Sequence, residues 1–527
     1  MTKTKVALFG ASGTMGFQAF KELWKRRGEF DINILVLPAE QSLGMFRAYE
    51  KEAGLKSVKG RGESENNGFK IVWGDATNYK DVVKTVRGAD WVLNAMAYIS
   101  PMADYRPETA RAVNVDAIGH ILKAIQAEPE GTERIHYVHT GTVAQTGNRP
   151  VGIHVGRVGD PLKPSIFDYY ALSKIAGERL VLESKLKYWV SLRMTFIMPT
   201  SYKEMQALND AISFHMPLDA RMENISDRDA GFGLVNCLDV PDESDFWRRV
   251  YNMGGGPGMR TIAYDYMQDA YHRSGLNLQA CMERNWYALR NFHMQYYEDS
   301  AVLNDYLHYW RDTLESYQHT MNEDTPVLIK LVAFLAGRIP AFRANIEKIA
   351  YADSKKLSEK HRNSPRYWYT DQNDMRITAF FKSYESYERI PGWGVNMPNL
   401  DPDAAWKRLN HGYDESKVIL DLIDLQGAAR FRGGKCLSEK WEGDLYVPLD
   451  WECAFGHKFA ARSYSVLKAG HWCPDCAATW NYDQQAKKNP FLAQAWYADH
   501  TPDEDNFYPE DCINDIRDAD REFEALK

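Results

Sequence analysis

Three glycines at three-residue intervals, Gly10, Gly13 and Gly16, follow directly on the apolar run KVALF and open the helical pattern FQAFKELWKRR. A buried strand that breaks at such a turn into a helix restricts the chain to few folds. Glycine permits the turn's dihedrals and lets the backbone come close to a pyrophosphate, whose charge the helix N-terminus favours. The turn GASGTMG, with Ser12, Thr14 and Met15 between the glycines, is therefore read as a dinucleotide site. The plainer alternative is a glycine-rich strand-to-helix turn with no ligand.

The N-terminal half of the chain keeps the same rhythm. INILVLP, GFKIVWGD, DWVLNAMA, RIHYVHT and YWVSLRMTFI are five further apolar runs, separated by helical patterns such as NYKDVVKTVRG and ARAVNVDAIGHILKAIQ. Strands alternating with helices predict an α/β fold, a Rossmann-like doubly wound parallel sheet, over residues 1–275. At 527 residues the chain exceeds one core, so further units are expected. Residues 276–430 read as an aromatic-rich helical region, 431–480 as a cysteine-bearing module and 481–527 as an acidic surface helix or tail. The net charge of −8 argues against a general nucleic-acid surface, and the apolar runs are too short to span a membrane. Clustered cysteines and the short N-terminal apolar run point to a reducing, cytoplasmic setting.

The spacing GxxGxxG resembles the extended short-chain dehydrogenase/reductase family, of the NAD-dependent epimerase/dehydratase kind. Asp75 and Ala76 in WGDATNY, Asn94 and Ala95 in LNAMA, and Asn114 in VNVDAIG stand in that family's order and spacing. The resemblance implies an adenine contact at Asp75 and a nicotinamide cofactor. An acidic residue ending the second strand would favour NAD and a nearby arginine NADP. Here Pro38 holds that end, with Glu40 and Arg47 beyond it, so NAD or NADP stays open.

In FDYYALSKIAGE two tyrosines precede one lysine. Residues four apart share a helix face, so Tyr170 pairs with Lys174, whereas Tyr169 would pair with Ser173. A phenol, with an ordinary pKa of about 10, is too weak an acid for neutral-pH proton transfer, and a neighbouring ammonium would lower it. The pair forms the YxxxK arrangement of the same family, in which the lysine also reaches the nicotinamide ribose. By the same resemblance Thr140, at the end of the fifth strand, is the catalytic hydroxyl, Asn114 completes a proton relay and Pro199 contacts the carboxamide. A chance helix-face pair is the bland alternative.

Sugar-nucleotide dehydratases of the family carry an acidic pair after the catalytic threonine, where this chain has Gly141 and Thr142. Epimerases carry a VYG turn, where Ala144 replaces the tyrosine. The remaining expectation is interconversion of a secondary alcohol and a ketone on a small molecule, with a sterol-like substrate suggested by the aromatic region. That region is equally readable as core. A sugar-nucleotide epimerase and a non-catalytic dinucleotide sensor stay as alternatives, and a homodimer is what the resemblance implies.

The last motif is metallic. Cys453 and His457 lie on one knuckle, and Cys473 and Cys476 on a Cys-Pro-x-Cys turn sixteen residues after the histidine. Three thiolates and an imidazole close a tetrahedron with no place for water, the form of a structural zinc site. The pattern from GGKCLS to HWCPDC resembles a zinc-ribbon family, with Cys436 as an accessory outside the ligand set.

Overall fold

The structure, a computed structural model, describes residues 3–526 apart from 57 and 59. All six expected runs are strands of one sheet, because each is rich in apolar residues and is buried along nearly its whole length, covered on both faces. From one edge the order is Arg249–Met253, Tyr188–Met194, His136–Thr142, Trp91–Asn94, Thr4–Phe9, Phe30–Val36, Phe69–Trp73 and Gly62–Asn66. Every neighbouring pair is parallel except the last, a hairpin. The order reverses beside Thr4–Phe9, and the carboxyl ends of the strands on either side open the crevice that suits a dinucleotide. The two strands not read from sequence lie at the edges. GESEN is polar and exposed, so it carries no apolar pattern, and RVYNM is short and begins with a charge.

One sheet face packs on the helix Thr14–Lys25, through Ala19, Phe20 and Leu23. The other packs on Ala117–Ala127 and Tyr169–Leu182, through Ile118, Ile121, Val181 and Leu182. The aromatic helices beyond the sheet fill a core of their own. Trp368, Phe380 and Phe381 pack with Ile166, Phe167 and Leu172, where the chain enters the helix bearing Tyr170. These rings are core, and the cavity that Phe167 and Phe380 also wall, about 20 Å³, is too small for a sterol.

The stretch expected as an acidic surface tail packs inward. Trp496, Tyr508 and Ile513 join that aromatic core, and Ile516 and Ala519 pack on Tyr105. Its acidic residues mark the outer face of a segment whose apolar residues are buried. The cysteine-bearing module is a three-stranded antiparallel sheet of Lys435–Cys436, Pro448–Glu452 and Lys458–Arg462. It docks on the parallel sheet's helical layer, with Tyr464 and Ala469 among Val181, Leu182 and Trp189. Among the described residues no helix is long and apolar enough to cross a membrane.

Candidate functional site

The glycine turn is built for close approach. Gly10 has φ +79°, and a Cβ there would lie 2.7 Å from the Met96 backbone nitrogen. A Cβ on Gly16 would overlap the Gly10 carbonyl oxygen, so the helix Thr14–Lys25 can start this close to the strand only with glycine at 16. Gly13 caps that helix without any side-chain hydrogen bond, which leaves first-turn amides directed at the crevice. This uncapped cradle, closed to any Cβ, fits a pyrophosphate. Ser12 and Thr14 are half-buried on the turn, whereas Met15 is buried in the core and can offer only its backbone.

Around this turn the other expected cofactor residues fall at strand ends. The Ala95 amide donates to the Phe9 carbonyl at 3.0 Å, and Asn94 donates to the Tyr137 hydroxyl at 3.1 Å. Asp75 accepts from the Thr77 amide at 2.9 Å, and the Ala76 carbonyl lies 3.2 Å from His120 Nδ1. The Pro199 carbonyl accepts from the Tyr317 hydroxyl at 2.9 Å, which fixes that loop beneath the helical region.

Asn114 sits in a π-helical turn, Ala112–Asp116, that interrupts the long helix read from sequence. Its amide is committed: it donates to the Tyr98 carbonyl (2.9 Å) and Ser173 Oγ (3.0 Å) and accepts from the Tyr98 amide (2.8 Å). In this structure Asn114 ties the loop after the fourth strand to the helix Tyr169–Leu182.

That helix carries Tyr170 and Lys174 on one face, against the end of His136–Thr142. Here the arrangement departs from the expectation twice. The Thr140 hydroxyl is turned away, donating to the Asn94 carbonyl at 2.9 Å. Of the two threonines, Thr142 is the one whose side chain lowers the Tyr170 phenol's pKa, against the burial that raises it. Thr142 also receives the Ala144 amide at 3.3 Å, and its own amide donates to Gln145 Oε1 at 2.8 Å, a capping box that ends the strand. The T-x-x-Q spacing of Thr142 and Gln145 is the signal in the sequence that marks this hydroxyl.

The second departure is electrostatic. Lys174 is buried and directs its ammonium at the Thr140 carbonyl. Burial pushes the Tyr170 phenol well above its usual value and Asp168 adds to the rise, while Thr142 pulls the other way. The same burial brings the Lys174 ammonium down to about 8, against the attraction of Glu178. Desolvation therefore outweighs the lowering of the phenol expected from a neighbouring lysine, and Tyr170 is held protonated.

Two carboxylates not read from the sequence stand at the N-terminus of this helix. Asp168 caps it, accepting from the Ala171 amide at 2.8 Å, and lies 3.2 Å from His293 Nδ1. Asp104 accepts from the Tyr169 and Tyr170 amides at 2.8 and 3.3 Å. Burial, then the charge of Asp168, pushes Asp104 up to about 8, partly offset by Ser100 and those amides. Both acids line a cavity of about 20 Å³, room for about one water, together with Ser100, His215, His293 and Arg376.

The fourfold Cys/His set is assembled. Cys453 Sγ and Cys476 Sγ are 3.8 Å apart, and His457 Nδ1 lies 3.5 and 3.6 Å from the sulfurs of Cys473 and Cys476. A tetrahedral ion about 2.3 Å from sulfur and about 2.05 Å from nitrogen requires separations of about 3.8 and 3.6 Å. A hydrogen bond from Cys476 lowers the Cys473 thiol to about 5 and raises Cys476 far above its usual value, a conflict a divalent cation removes. The four donors fit zinc.

Residues 6–202 match the model of the NAD dependent epimerase/dehydratase family. The helical region and the cysteine module lie beyond that match. No curated protein sequence matches the chain. Among solved structures, a dTDP-glucose 4,6-dehydratase from Bacillus anthracis in complex with NAD aligns at 14% identity. It covers 61% of this chain and 96% of its own, with a TM-score of 0.46. DesIV, a dTDP-glucose 4,6-dehydratase from Streptomyces venezuelae solved with NAD bound, aligns at 15% identity over 60% of this chain and 96% of its own, TM-score 0.47.

Two substitutions test the two sites separately. Gly16→Ala is expected to leave the protein folded by circular dichroism but to weaken dinucleotide binding by more than about tenfold in calorimetry, through the clash with the Gly10 carbonyl. Joint replacement of Cys473 and Cys476 by serine is expected to bring metal content, read by atomic emission, from one ion per four-donor site to near zero and to lower the melting temperature.

Proposed function

We propose that the chain is an NAD(P)-dependent oxidoreductase that interconverts a secondary alcohol and a ketone on a small polar substrate, with a structural zinc in the C-terminal module. The observation that carries this is the helix Tyr169–Leu182, which sets Tyr170 and Lys174 on one face against the end of the strand His136–Thr142, beside a Rossmann crevice.

The residues that would hold the dinucleotide are the Gly10–Gly16 turn at its pyrophosphate, Asp75 and Ala76 at the adenine, Asn94 and Ala95 along the crevice, and Pro199 at the carboxamide. A bound nicotinamide supplies or accepts the hydride at the substrate carbon. Everything else falls to the chain's own groups. Thr142 and Tyr170 converge on one point, where both can hydrogen-bond a substrate oxygen. Tyr170, protonated at neutral pH, donates its proton to a carbonyl oxygen in reduction and recovers it in oxidation. One of the three Lys174 N–H groups is directed at the Thr140 carbonyl, which leaves two for the ribose hydroxyls. The buried ammonium stabilises the phenolate that remains after transfer. Thr140 would then act through its backbone, and Asn114 by fixing the helix.

Asp104, Asp168, His293 and Arg376, clustered near the start of the Tyr170 helix, support a polar substrate over a sterol-like one; the cavity they line, with Phe167 and Phe380 among its walls, has room for about one water and is not itself a substrate pocket. Those acids also support a second reading, a sugar-nucleotide epimerase or dehydratase. Asp104, with its pKa near 8, is protonated at neutral pH and could serve as a further acid. Absorbance at 340 nm separates the two. A secondary-alcohol oxidoreductase changes the dinucleotide's redox state with each turnover, whereas an epimerase returns it unchanged.

Titration with NADH and with NADPH is expected to give tight binding of one of them, and binding of neither would end the oxidoreductase reading. Tyr170→Phe is expected to lower turnover on the order of 10²–10⁴-fold with dinucleotide affinity unchanged. Thr142→Val should cost roughly 10²-fold in turnover and Thr140→Val much less; the reverse order would restore Thr140 as the catalytic hydroxyl. With Lys174 brought down to about 8, kcat/KM should fall as pH rises through that value, because the ammonium loses its proton there. Asp104 ionises in the same range, so the alkaline limb should persist in Asp104→Asn if it belongs to Lys174.

A further inference from the structure

The segment immediately before Cys473 is bound to the helix that bears Tyr170 and Lys174. Glu178 lies one turn after Lys174 and is fully buried. His471 Nε2 is 2.9 Å from its carboxylate, and Arg193 reaches it at 2.7 and 3.2 Å. Arg193 also donates to the Ala469 carbonyl at 2.8 Å, and Arg179 donates to the Trp472 carbonyl at 2.7 Å. Residues 469, 471 and 472 are thus fixed to residues 178, 179 and 193, and the next residue in the chain is a metal ligand.

The chain of contacts continues toward the reacting groups. Gln145 Nε2 donates to Glu178 at 2.9 Å, and Gln145 Oε1 accepts the Thr142 amide at 2.8 Å. The path from the metal knuckle to the hydroxyl beside Tyr170 is therefore His471, Glu178, Gln145, Thr142. All four are less than a tenth exposed, at 2%, 0%, 0% and 6%. Buried groups in one hydrogen-bonded network cannot move independently, since any break leaves an unsatisfied polar atom in low dielectric.

We infer that the C-terminal metal knuckle positions the catalytic helix and Thr142 through this network, so that metal occupancy and dinucleotide binding are coupled, with His471 and Glu178 as positioning residues. The inference rests on the zinc and dinucleotide readings of the two sites. An empty knuckle frees Cys473, and with it the segment that brings His471 to Glu178. Helix and strand end then lose the contact that sets Lys174 and Thr142 against the crevice. Because coupling between two binding sites is reciprocal, the dinucleotide must in turn hold the metal more firmly.

The test uses the full-length protein with its metal. The affinity of the preferred reduced dinucleotide is measured by calorimetry before and after zinc removal. Zinc affinity is measured by competition with a chromogenic chelator, with and without that dinucleotide. We expect both affinities to shift by the same factor, about tenfold. His471→Leu should retain zinc and dinucleotide binding, reduce that factor toward one and lower kcat at unchanged KM, while His471→Gln, which keeps a donor, should restore most of both. Metal and dinucleotide binding with no mutual effect in the parent protein would overturn the inference and leave both site readings standing. Loss of either binding itself would overturn it together with that reading. Should His471→Leu not fold, the reciprocal shift in the parent protein decides alone.

Discussion

The carboxylate of Glu178 is fully buried, so its charge has to be answered by protein groups. Burial alone would raise its pKa. Arg193, with His471, overcomes that and holds the carboxyl well below its usual range. Ser191 adds a hydrogen bond at 2.7 Å and Gln145 another at 2.9 Å. The donors come from the strand Tyr188–Met194, the turn after its neighbour and the C-terminal module, so one anion fastens three distant parts of the sequence. Removing one partner of such a pair typically costs about 3–5 kcal/mol, because the other charge stays behind. A chain that retains this arrangement is specifying a geometry, and the geometry specified is that of the helix carrying Tyr170 and Lys174.

Burial also decides protonation along that helix. Tyr170 is held neutral, Asp104 is pushed up to about 8 and Lys174 is drawn down to about 8. His139, on the strand behind them, falls to about 3 and stays neutral, through burial and then the nearby Lys174. A simple Coulomb picture of tyrosine beside lysine predicts an acidified phenol. Desolvation dominates instead, and it leaves a phenol that keeps its proton. The same desolvation strengthens hydrogen bonds made in this low-dielectric surrounding.

Much of this was readable from the sequence, and the exceptions have physical causes. Parallel strands buried on both faces announce themselves as apolar runs, so six were plain, while the polar edge strand Gly62–Asn66 carried no such signal. Glycine spacing was legible because the backbone leaves little choice at Gly10 and Gly16. Helix periodicity placed Tyr170 and Lys174 on one face, yet where Lys174 points depends on a strand carbonyl thirty-four residues back. Thr140 and Thr142 share a strand face by alternation, and sequence order does not reveal that the Thr140 hydroxyl is taken by the Asn94 carbonyl. The Asp104 and Asp168 pair joins residues far apart in the chain, which no local pattern records.

The C-terminal half is better understood as part of the site's framework than as an appended unit. Tyr317 holds the Pro199 carbonyl, His293 faces Asp168, and Arg376 lines the small cavity by the start of the Tyr170 helix. Residues of the helical region are thus fixed against the start of that helix, and the cysteine module is fixed near its end, at Glu178 and Arg179. Residues 6–202, which match the family model, contain the glycine turn, Tyr170 and Lys174. Both ends of the Tyr170 helix are held by residues beyond that match, His293 at Asp168 and residues 471 and 472 at Glu178 and Arg179, so the placement of its side chains depends on the rest of the chain.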